Sequence, residues 1–236
     1  MKNENLNILG IIPARGGSKE VKRKNLLKIG DKTLIEIALD SVKGSARLNR
    51  TIFSTDDDEM YNLAKSLGAD IPFKRPGELA KDDSSIFSVV KHAVNWLDEI
   101  ENWKADIIVL LQPTTPFRTS KHIDDVISLL LKTQADAAIT VKKPDYPPQW
   151  MLQFTKDKKL ENIIPGGNTY LRRQDTPSSY QPAGLVFAFT KQLLNSMNTV
   201  LPSGDTRGVI VSEKEGINID TWEHYEMAKL FYDEKI

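Results

Sequence analysis

The sequence predicts an α/β fold: a three-layer arrangement in which a mostly parallel sheet carries helices on both faces. Two observations predict it. Short, nearly continuous apolar runs recur along the chain, and between them apolar residues recur at helical spacing. The length of 236 residues predicts one large domain over residues 1–236, or such a domain with a substantial excursion.

The first half of the chain supplies two strand–helix units. Residues 7–14 are a brief apolar stretch followed by a glycine-rich turn, which is typical of a buried strand. Apolar residues over 34–42 recur at helical spacing. A second strand is predicted over residues 51–54. A helix over 60–67 follows, and Gly68 ends it.

The middle of the chain continues the alternation. One apolar stripe predicts a helix from about residue 84 to 100, with Asp83 or Ser84 as its N-cap. Residues 106–111 are the clearest central strand. The next helix is expected to start at Thr119 or Ser120, and residues 136–141 form another strand.

From about residue 142 to 181 the pattern breaks down. Prolines, a glycine pair and polar runs predict a long connection without regular structure, which is unusual in a compact domain unless it has a function. We interpret residues 142–181, called the excursion below, as covering a site, contacting a partner subunit, or both. Strands are predicted again over 184–189, 208–211 and 217–220, with a final helix from about residue 221.

Composition excludes several classes of protein. The 32 basic residues balance 32 acidic ones, so no bulk positive field favours nucleic acid as a partner. The absence of cysteine excludes disulfides, thiolate metal sites and thiol nucleophiles, and it is compatible with a cytoplasmic location. The N-terminal sequence lacks a long apolar signal region, and no apolar run approaches the ~20 residues that span a bilayer. We therefore expect neither a nucleic acid nor a membrane as partner.

The loop after the first predicted strand, residues 13–19 (PARGGSK), is the first candidate site; we call it the glycine loop. At the carboxyl end of a strand, its backbone N–H groups and two cations, Arg15 and Lys19, would suit a phosphate chain. The sequence has no Gly-Lys dipeptide and no two glycines two residues apart, which excludes a Walker A loop and the dinucleotide fingerprint. A flexible surface turn with solvated charges is the alternative.

Other candidates are single residues near predicted strand ends. Lys24 could reach a triphosphate, and Asn25 could pair with a base edge or hold the loop. Arg75 is a cation before the long helix. Gln112 follows the central strand, where substrate groups project, although its two neighbouring prolines would also explain a stiff loop. Asp220 could bind Mg²⁺ or cap the last helix.

The remaining chemistry-bearing residues give no clear pattern. His92, His122 and His224 lack zinc-site spacing, and we expect them on the surface or on helix faces. The chain has no Gly-x-Ser-x-Gly motif, which disfavours hydrolases that use a nucleophile elbow.

Five segments in order resemble the acylneuraminate cytidylyltransferase family, the CMP-sialic acid synthetases. They are IIPARGGSKEVKRKN (11–25), FSTDD (53–57), RPGELAKDDSS (75–85), LLQPTTPFRT (110–119) and INIDT (217–221). The resemblance implies a Rossmann-like nucleotidyltransferase fold and transfer of CMP from CTP to the anomeric hydroxyl of a nonulosonic acid, with release of pyrophosphate. It also implies Mg²⁺ as cofactor and a homodimer built through the excursion as a protruding dimerisation element.

The same resemblance implies roles for individual residues. Arg15, Lys19 and Asp220 would be catalytic, with Asp220 also the Mg²⁺ ligand. The residues implied at the nucleotide are Ala14, Arg15, Gly16, Gly17, Ser18, Lys24, Asn25, Arg75, Ala80, Asp82 and Ser84.

Gln112 would face the sugar acid bound in the same subunit. Arg173 and Gln174, in the excursion, would be lent to the neighbouring subunit's sugar pocket. Both assignments rest on the resemblance.

Three departures from the family's usual pattern bear on the metal, the phosphate and the sugar pocket, in that order. The usual Asp-x-Asp is Asn218-Ile219-Asp220, and Glu20 stands in place of a glycine. The Arg-Pro-Asn-Gly run of sialic acid members is Gln181-Pro182-Ala183-Gly184 here, so the sugar pocket lacks that arginine. We therefore favour a relative of sialic acid, of the legionaminic or pseudaminic type.

Two other functions remain open. One is an enzyme of the same fold with another substrate, such as a 3-deoxy-octulosonate cytidylyltransferase or another sugar nucleotidyltransferase. The other is a non-catalytic nucleotide-binding module, for which Asn218 and Glu20 would be the evidence.

Overall fold

The computed structural model describes residues 6–18, 20–196 and 204–233. Lys19, to which the resemblance gives a catalytic role, lies outside the described residues. Within the described part of the chain, no helix is long and apolar enough to cross a membrane.

The strands form one main sheet and two small hairpins. They are β1 (Ile8–Pro13), β2 (Lys28–Ile29), β3 (Lys32–Thr33), β4 (Arg50–Ser54), β5 (Ile107–Leu110), β6 (Ala137–Lys142), β7 (Leu152–Phe154), β8 (Leu160–Asn162), β9 (Gln181–Thr190) and β10 (Thr206–Ile210). The main sheet has the order β10-β6-β9-β5-β1-β4. The mixed, mostly parallel sheet that the sequence predicts is confirmed.

Strand directions in the main sheet are not uniform. β1 pairs in parallel with β4 and β5, and β10 pairs in parallel with β6. β9 runs antiparallel between β5 and β6, with a register irregularity between Ile139 and Val141. β9 runs antiparallel because it enters the sheet at the edge where β6 ends, after the excursion.

Helices cover both faces of the sheet, as predicted. They are α1 (Leu34–Lys43), α2 (Asp58–Ser66), α3 (Ile86–Glu101), α4 (Ser120–Thr133), α5 (Lys191–Ser196) and α6 (Trp222–Asp233). In β1, Ile8 and Ile12 join the core shared with α1, α2 and α4, whereas Leu9 and Ile11 face α3 and α5. This alternation is why a nearly continuous apolar run forms a strand buried on both faces.

Local capping fixes where the helices begin. Thr119 caps α4 by accepting a hydrogen bond from the N–H of His122, so the expected start at Thr119 or Ser120 is confirmed. The N-cap predicted for α3 at Asp83 or Ser84 is wrong. The cap is Ser85, whose hydroxyl accepts from Phe87 N–H, because Ser84 instead donates to Glu78 O.

The strand predicted over residues 217–220 is wrong. The segment has no regular secondary structure and belongs to no sheet; Ile219 N–H donates to Thr114 O at 2.8 Å. Ile217 and Ile219 are buried in a third core cluster under α6 that includes Phe117. The apolar alternation that suggested a strand is satisfied by packing beneath a helix.

The excursion runs between the ends of β6 and β9. The expectation of no regular structure is wrong in part, because β7 and β8 form an antiparallel hairpin there, flanked by single turns of 3₁₀ helix. Trp150 Nε1 donates to Tyr170 O at 3.0 Å, which ties the segment together. Gly167 lies so close to Gln149 O that an added Cβ would collide with it.

Candidate active site

A cavity of about 500 Å³ lies at the carboxyl ends of β1 and β5, where open α/β sheets bind ligands. Its lining residues are Pro13, Arg15, Ser18, Glu20, Val21, Lys24, Asn25, Arg75, Ile86, Gln112, Pro113, Thr114, Asn218 and Asp220. The first cavity, as we call it, thus gathers residues from four of the five segments that carry the resemblance.

The glycine loop is tied to neighbouring segments on both sides. Ala14 is buried and its N–H donates to Ser54 O at 2.9 Å. Gly16 N–H donates to Asp56 Oδ1 at 3.3 Å. Arg15 donates to Lys81 O at 3.2 Å and pairs with Asp82 at 3.3 Å. These contacts hold the loop as a defined wall of the first cavity rather than as a free surface turn.

Arg75 is a buried cation in the wall of the first cavity. Its Nε donates to Ser54 Oγ at 3.1 Å, and its guanidinium also donates to Ser54 O. Burial, helped by the nearby Arg15, lowers the pKa of Arg75 to about 10 against the opposing attraction of Asp56. Two arginines thus face a common space, an arrangement suited to an anionic ligand.

Asn25 is almost fully buried beside the glycine loop. Its Nδ2 donates to Arg15 O at 3.3 Å, so the side chain holds the loop. Its Oδ1 is buried and has no hydrogen-bond partner within the described part of the chain. Asn25 therefore holds the glycine loop and still has an oxygen free to pair with a base edge.

Asp220 is held by two side chains at the edge of the first cavity. Its Oδ1 accepts from Lys24 Nζ at 3.0 Å, and its Oδ2 accepts from Asn218 Nδ2 at 2.8 Å. The carboxylate does not cap α6, since Thr221 Oγ1 accepts from His224 N–H there at 3.3 Å. The Asp220 side chain therefore does not cap the last helix, which was the alternative role that the sequence left open.

The residues around Asp220 fit a magnesium ion. Asn218 Oδ1 is buried and lacks a hydrogen-bond partner among the residues described. Mg²⁺ takes one or two protein oxygens and completes its shell with water and phosphate. The described residues contain no cluster of three or more acidic or histidine ligands. Any ion there would therefore depend on a bound phosphate chain.

A second cavity, of about 660 Å³, adjoins the first. Gln112, Asn218 and Asp220 line both cavities. His224 also lines the second cavity, although we expected only a surface or helix-face position for it. The two cavities meet at these shared residues, so two ligands bound side by side would come together there.

Arg118 supports the strand end that presents Gln112, and sequence reasoning missed it. Only 4% of Arg118 is exposed, and it donates to Gln112 O at 2.7 Å and to Leu185 O at 3.2 Å. Burial lowers the pKa of Arg118 to about 9. Its charge has no carboxylate partner in the part of the chain that the structure describes. The only signal was its place in the LLQPTTPFRT segment.

Several predicted site residues do not line the first cavity. Ala14, Gly16 and Gly17 of the glycine loop lie outside its lining. So do Ala80, Asp82 and Ser84, although Asp82 pairs with Arg15, which does line it. Arg173 and Gln174 line a separate cavity of about 380 Å³ in the excursion. The structure therefore does not place these eight residues in the lining of the first cavity within one chain.

A glycine loop, two arginines and an aspartate around one strand-end cavity are the features that we expect of a nucleotide-binding α/β domain. A sequence profile described as "Cytidylyltransferase" matches residues 9–200, and the chain belongs to this family.

Relatives include an N-acylneuraminate cytidylyltransferase of Escherichia coli O18:K1:H7, 30% identical over 94% of this chain. This chain spans about half of that protein, 51%. A pseudaminic acid cytidylyltransferase of Campylobacter jejuni is 27% identical, with 95% of each chain covered. A CMP-N,N'-diacetyllegionaminic acid synthase of Legionella pneumophila is 25% identical, with 92% of each covered.

Among solved structures, a CMP:2-keto-3-deoxy-manno-octonic acid synthetase complexed with CTP superposes with a TM-score of 0.72 at 15% identity. The match covers 98% of this chain and 100% of that one. At this identity the likeness establishes the shared fold.

Proposed function

We propose that the protein transfers CMP from CTP to the anomeric hydroxyl of a nonulosonic acid and releases pyrophosphate. The observation that carries the proposal is the pair of adjoining cavities, one lined by Arg15, Lys24 and Arg75, that meet at Gln112 and Asp220. Membership of the cytidylyltransferase family supports the nucleotide. The printed names of the relatives support a nine-carbon sugar acid as acceptor.

The first cavity would hold CTP. Arg15, Ser18 and Lys24 would hold the triphosphate, the two cations by charge and Ser18 by a hydrogen bond from its hydroxyl, and Lys19 would join them from the same loop. Asn25 and Arg75 would lie near the cytosine and ribose, where the free Asn25 Oδ1 can accept a hydrogen bond from an amino group. Catalysis then rests on alignment and on stabilising charge at the phosphates.

The second cavity would hold the sugar acid beside the α-phosphate. Gln112, which lines both cavities, would orient the attacking hydroxyl. Asp220 and Asn218 Oδ1 would hold Mg²⁺ together with the phosphates of CTP. When bound, that ion would stabilise negative charge on the phosphates and ease loss of the hydroxyl proton.

A homodimer is part of the proposal. The excursion carries exposed apolar side chains, among them Phe154, which is 73% exposed, and Leu171, which is 87% exposed. Exposed apolar side chains of this size suit contact with a second copy. In that copy Arg173 and Gln174 would complete the sugar site. Phe154→Asp should convert a dimer to a monomer in light scattering, and a wild-type monomer would contradict this part of the proposal.

The cytoplasmic location of the protein stays a prediction.

The activity is tested by pyrophosphate release from CTP and Mg²⁺ with each acid supplied separately: N-acetylneuraminic, legionaminic, pseudaminic and 3-deoxy-octulosonic acid. We expect release with one nine-carbon acid. Release with the eight-carbon acid alone would favour the octulosonate alternative. Binding of CTP without release for any acid would favour a nucleotide-binding module.

A further inference from the structure

We propose that Lys142 binds the carboxylate of the acid acceptor from within its own chain. This inference rests on the proposed function, and it assigns a substrate-binding role to a residue that the sequence did not single out. Lys142 is the last residue of β6, so it lies at the carboxyl edge of the sheet, where ligands bind.

The backbone around Lys142 leaves room for its side chain to run into the second cavity. An alanine Cβ at Gly216 would lie 2.6 Å from Lys142 Cδ, so the glycine lets the aliphatic stem pass close to the backbone. Both residues line the second cavity. The stem is therefore confined on one side, which limits the rotamers that the ammonium can adopt.

The charge of the second cavity makes a cation necessary for an anionic ligand. Its walls include three carboxylates, those of Asp145, Glu213 and Asp220. Among the described residues that line it, Lys142 is the only lysine or arginine, and within the described part of the chain it forms no ion pair. Without Lys142, the lysine, arginine, aspartate and glutamate side chains that one chain contributes to these walls would all be negative, the same sign as a carboxylate ligand.

The strand beside Lys142 presents an uncharged side chain to the same cavity. In the register of β6 and β9, Lys142 lies directly opposite Gln181. Residues paired in this way have Cβ atoms about 5 Å apart. Both line the second cavity. A cation introduced at position 181 would therefore lie close to the position that Lys142 occupies.

The test compares Lys142→Ala and Lys142→Arg with the wild type, using whichever acid supports pyrophosphate release. Loss of one hydrogen bond between charged groups should raise KM for the acid about 10- to 100-fold in Lys142→Ala. KM for CTP should stay within about twofold, and Lys142→Arg should recover much of the loss. Lys132→Ala, which removes an exposed lysine on α4, is the matched control.

A substrate analogue isolates the carboxylate itself. The methyl ester of the acid lacks the charge that Lys142 would bind, so the wild type should use it poorly. Lys142→Ala should then discriminate much less between acid and ester than the wild type does. Adding Gln181→Arg to Lys142→Ala should restore part of the acid affinity, because it places a cation at the position paired with residue 142.

The outcomes separate this inference from the proposed function. If the wild type uses no acid, the proposed function fails and this inference with it. If the wild type is active and Lys142→Ala keeps a normal KM for the acid, this inference alone is overturned. If Lys142→Ala raised KM by the same factor for the acid and for its methyl ester, the inference would be overturned as well, because the lysine would then not bind the carboxylate.

Discussion

Replacing Gly16 with alanine should destabilise the protein, whereas the same change at the adjacent Gly17 should not. A Cβ at Gly16 would lie 2.7 Å from Asp57 Oδ2 and 3.0 Å from Asp57 Cβ. At Gly17 it would meet nothing within 4 Å. Because Asp57 Cβ is fixed to the backbone, rotating the carboxylate alone does not relieve the contact at Gly16.

The magnitude follows from what Asp57 does. It caps α2, since its Oδ1 accepts from Met60 N–H at 3.0 Å, and such a cap stabilises by about 1 kcal/mol. It also accepts two hydrogen bonds of 3.2 Å from Arg23. That pair is partly exposed, so we assign it about 0.5 kcal/mol. Displacing Asp57 should therefore cost about 1–2 kcal/mol, or about 3–6 °C in Tm.

The assay is thermal and urea unfolding of Gly16→Ala and Gly17→Ala beside the wild type. Gly17→Ala should lie within about 1 kcal/mol of the wild type, on the stabilising side if anything, because alanine restricts the unfolded chain. In an Asp57→Ala background, Gly16→Ala should cost much less than it does in the wild type, since the obstructing carboxylate is then absent. Equal losses in the two glycine variants would refute the reasoning.

Three further predictions concern the site and its support. Asp220→Ala should lower kcat at least about 100-fold and change stability by no more than about 1 kcal/mol, because the Asp220 side chain in its pair with Lys24 is about half exposed; unchanged turnover would remove Asp220 from catalysis. Arg15→Ala should raise KM for CTP about 10- to 100-fold, measured by steady-state kinetics, and a normal KM would remove the glycine loop from the nucleotide site. Glu36→Ala should cost about 1 kcal/mol at pH 7 in urea unfolding, because Glu36 accepts from Thr33 N–H and Oγ1–H, and these bonds lower its pKa. That difference should shrink as the pH falls from about 4.3 through the lower pKa of Glu36, and a pH-independent difference would contradict the assignment.

The sequence was most informative where function depends on strand ends. The buried runs that became β1 and β5 were recognisable because strands covered on both faces are apolar throughout. Their carboxyl ends placed Arg15 and Gln112 at one edge of the sheet, and the first cavity contains both. For that part of the site it was enough to know that ligands bind at the carboxyl ends of parallel strands and that the loops there contain suitable residue types.

Features that depend on long-range packing were not predictable. The burial of Arg118 depends on Ser41 Oγ and Leu185 O, which are 77 and 67 residues away in the chain. The strand predicted over 217–220 failed for the same reason, since only the position of α6 decides how its apolar residues are covered. Gly16 and Gly17 are indistinguishable in sequence, and only the position of Asp57 separates them.

The excursion illustrates a different limit. Its bounds followed from proline and glycine content, but the placement of Arg173 and Gln174 in a cavity of their own did not. Whether they serve a neighbouring subunit depends on a second copy of the chain, and one sequence carries no direct signal for that contact.

The most direct test of CMP transfer is the identity of the product. The protein is incubated with CTP, Mg²⁺ and the acid that supports pyrophosphate release, and the products are resolved by mass spectrometry and ³¹P NMR. We predict a CMP-sugar with one phosphodiester to the anomeric carbon, formed in equal amount to pyrophosphate. Formation of free CMP and pyrophosphate without the conjugate, in a reaction where the acid is recovered unchanged, would contradict transfer to the sugar acid.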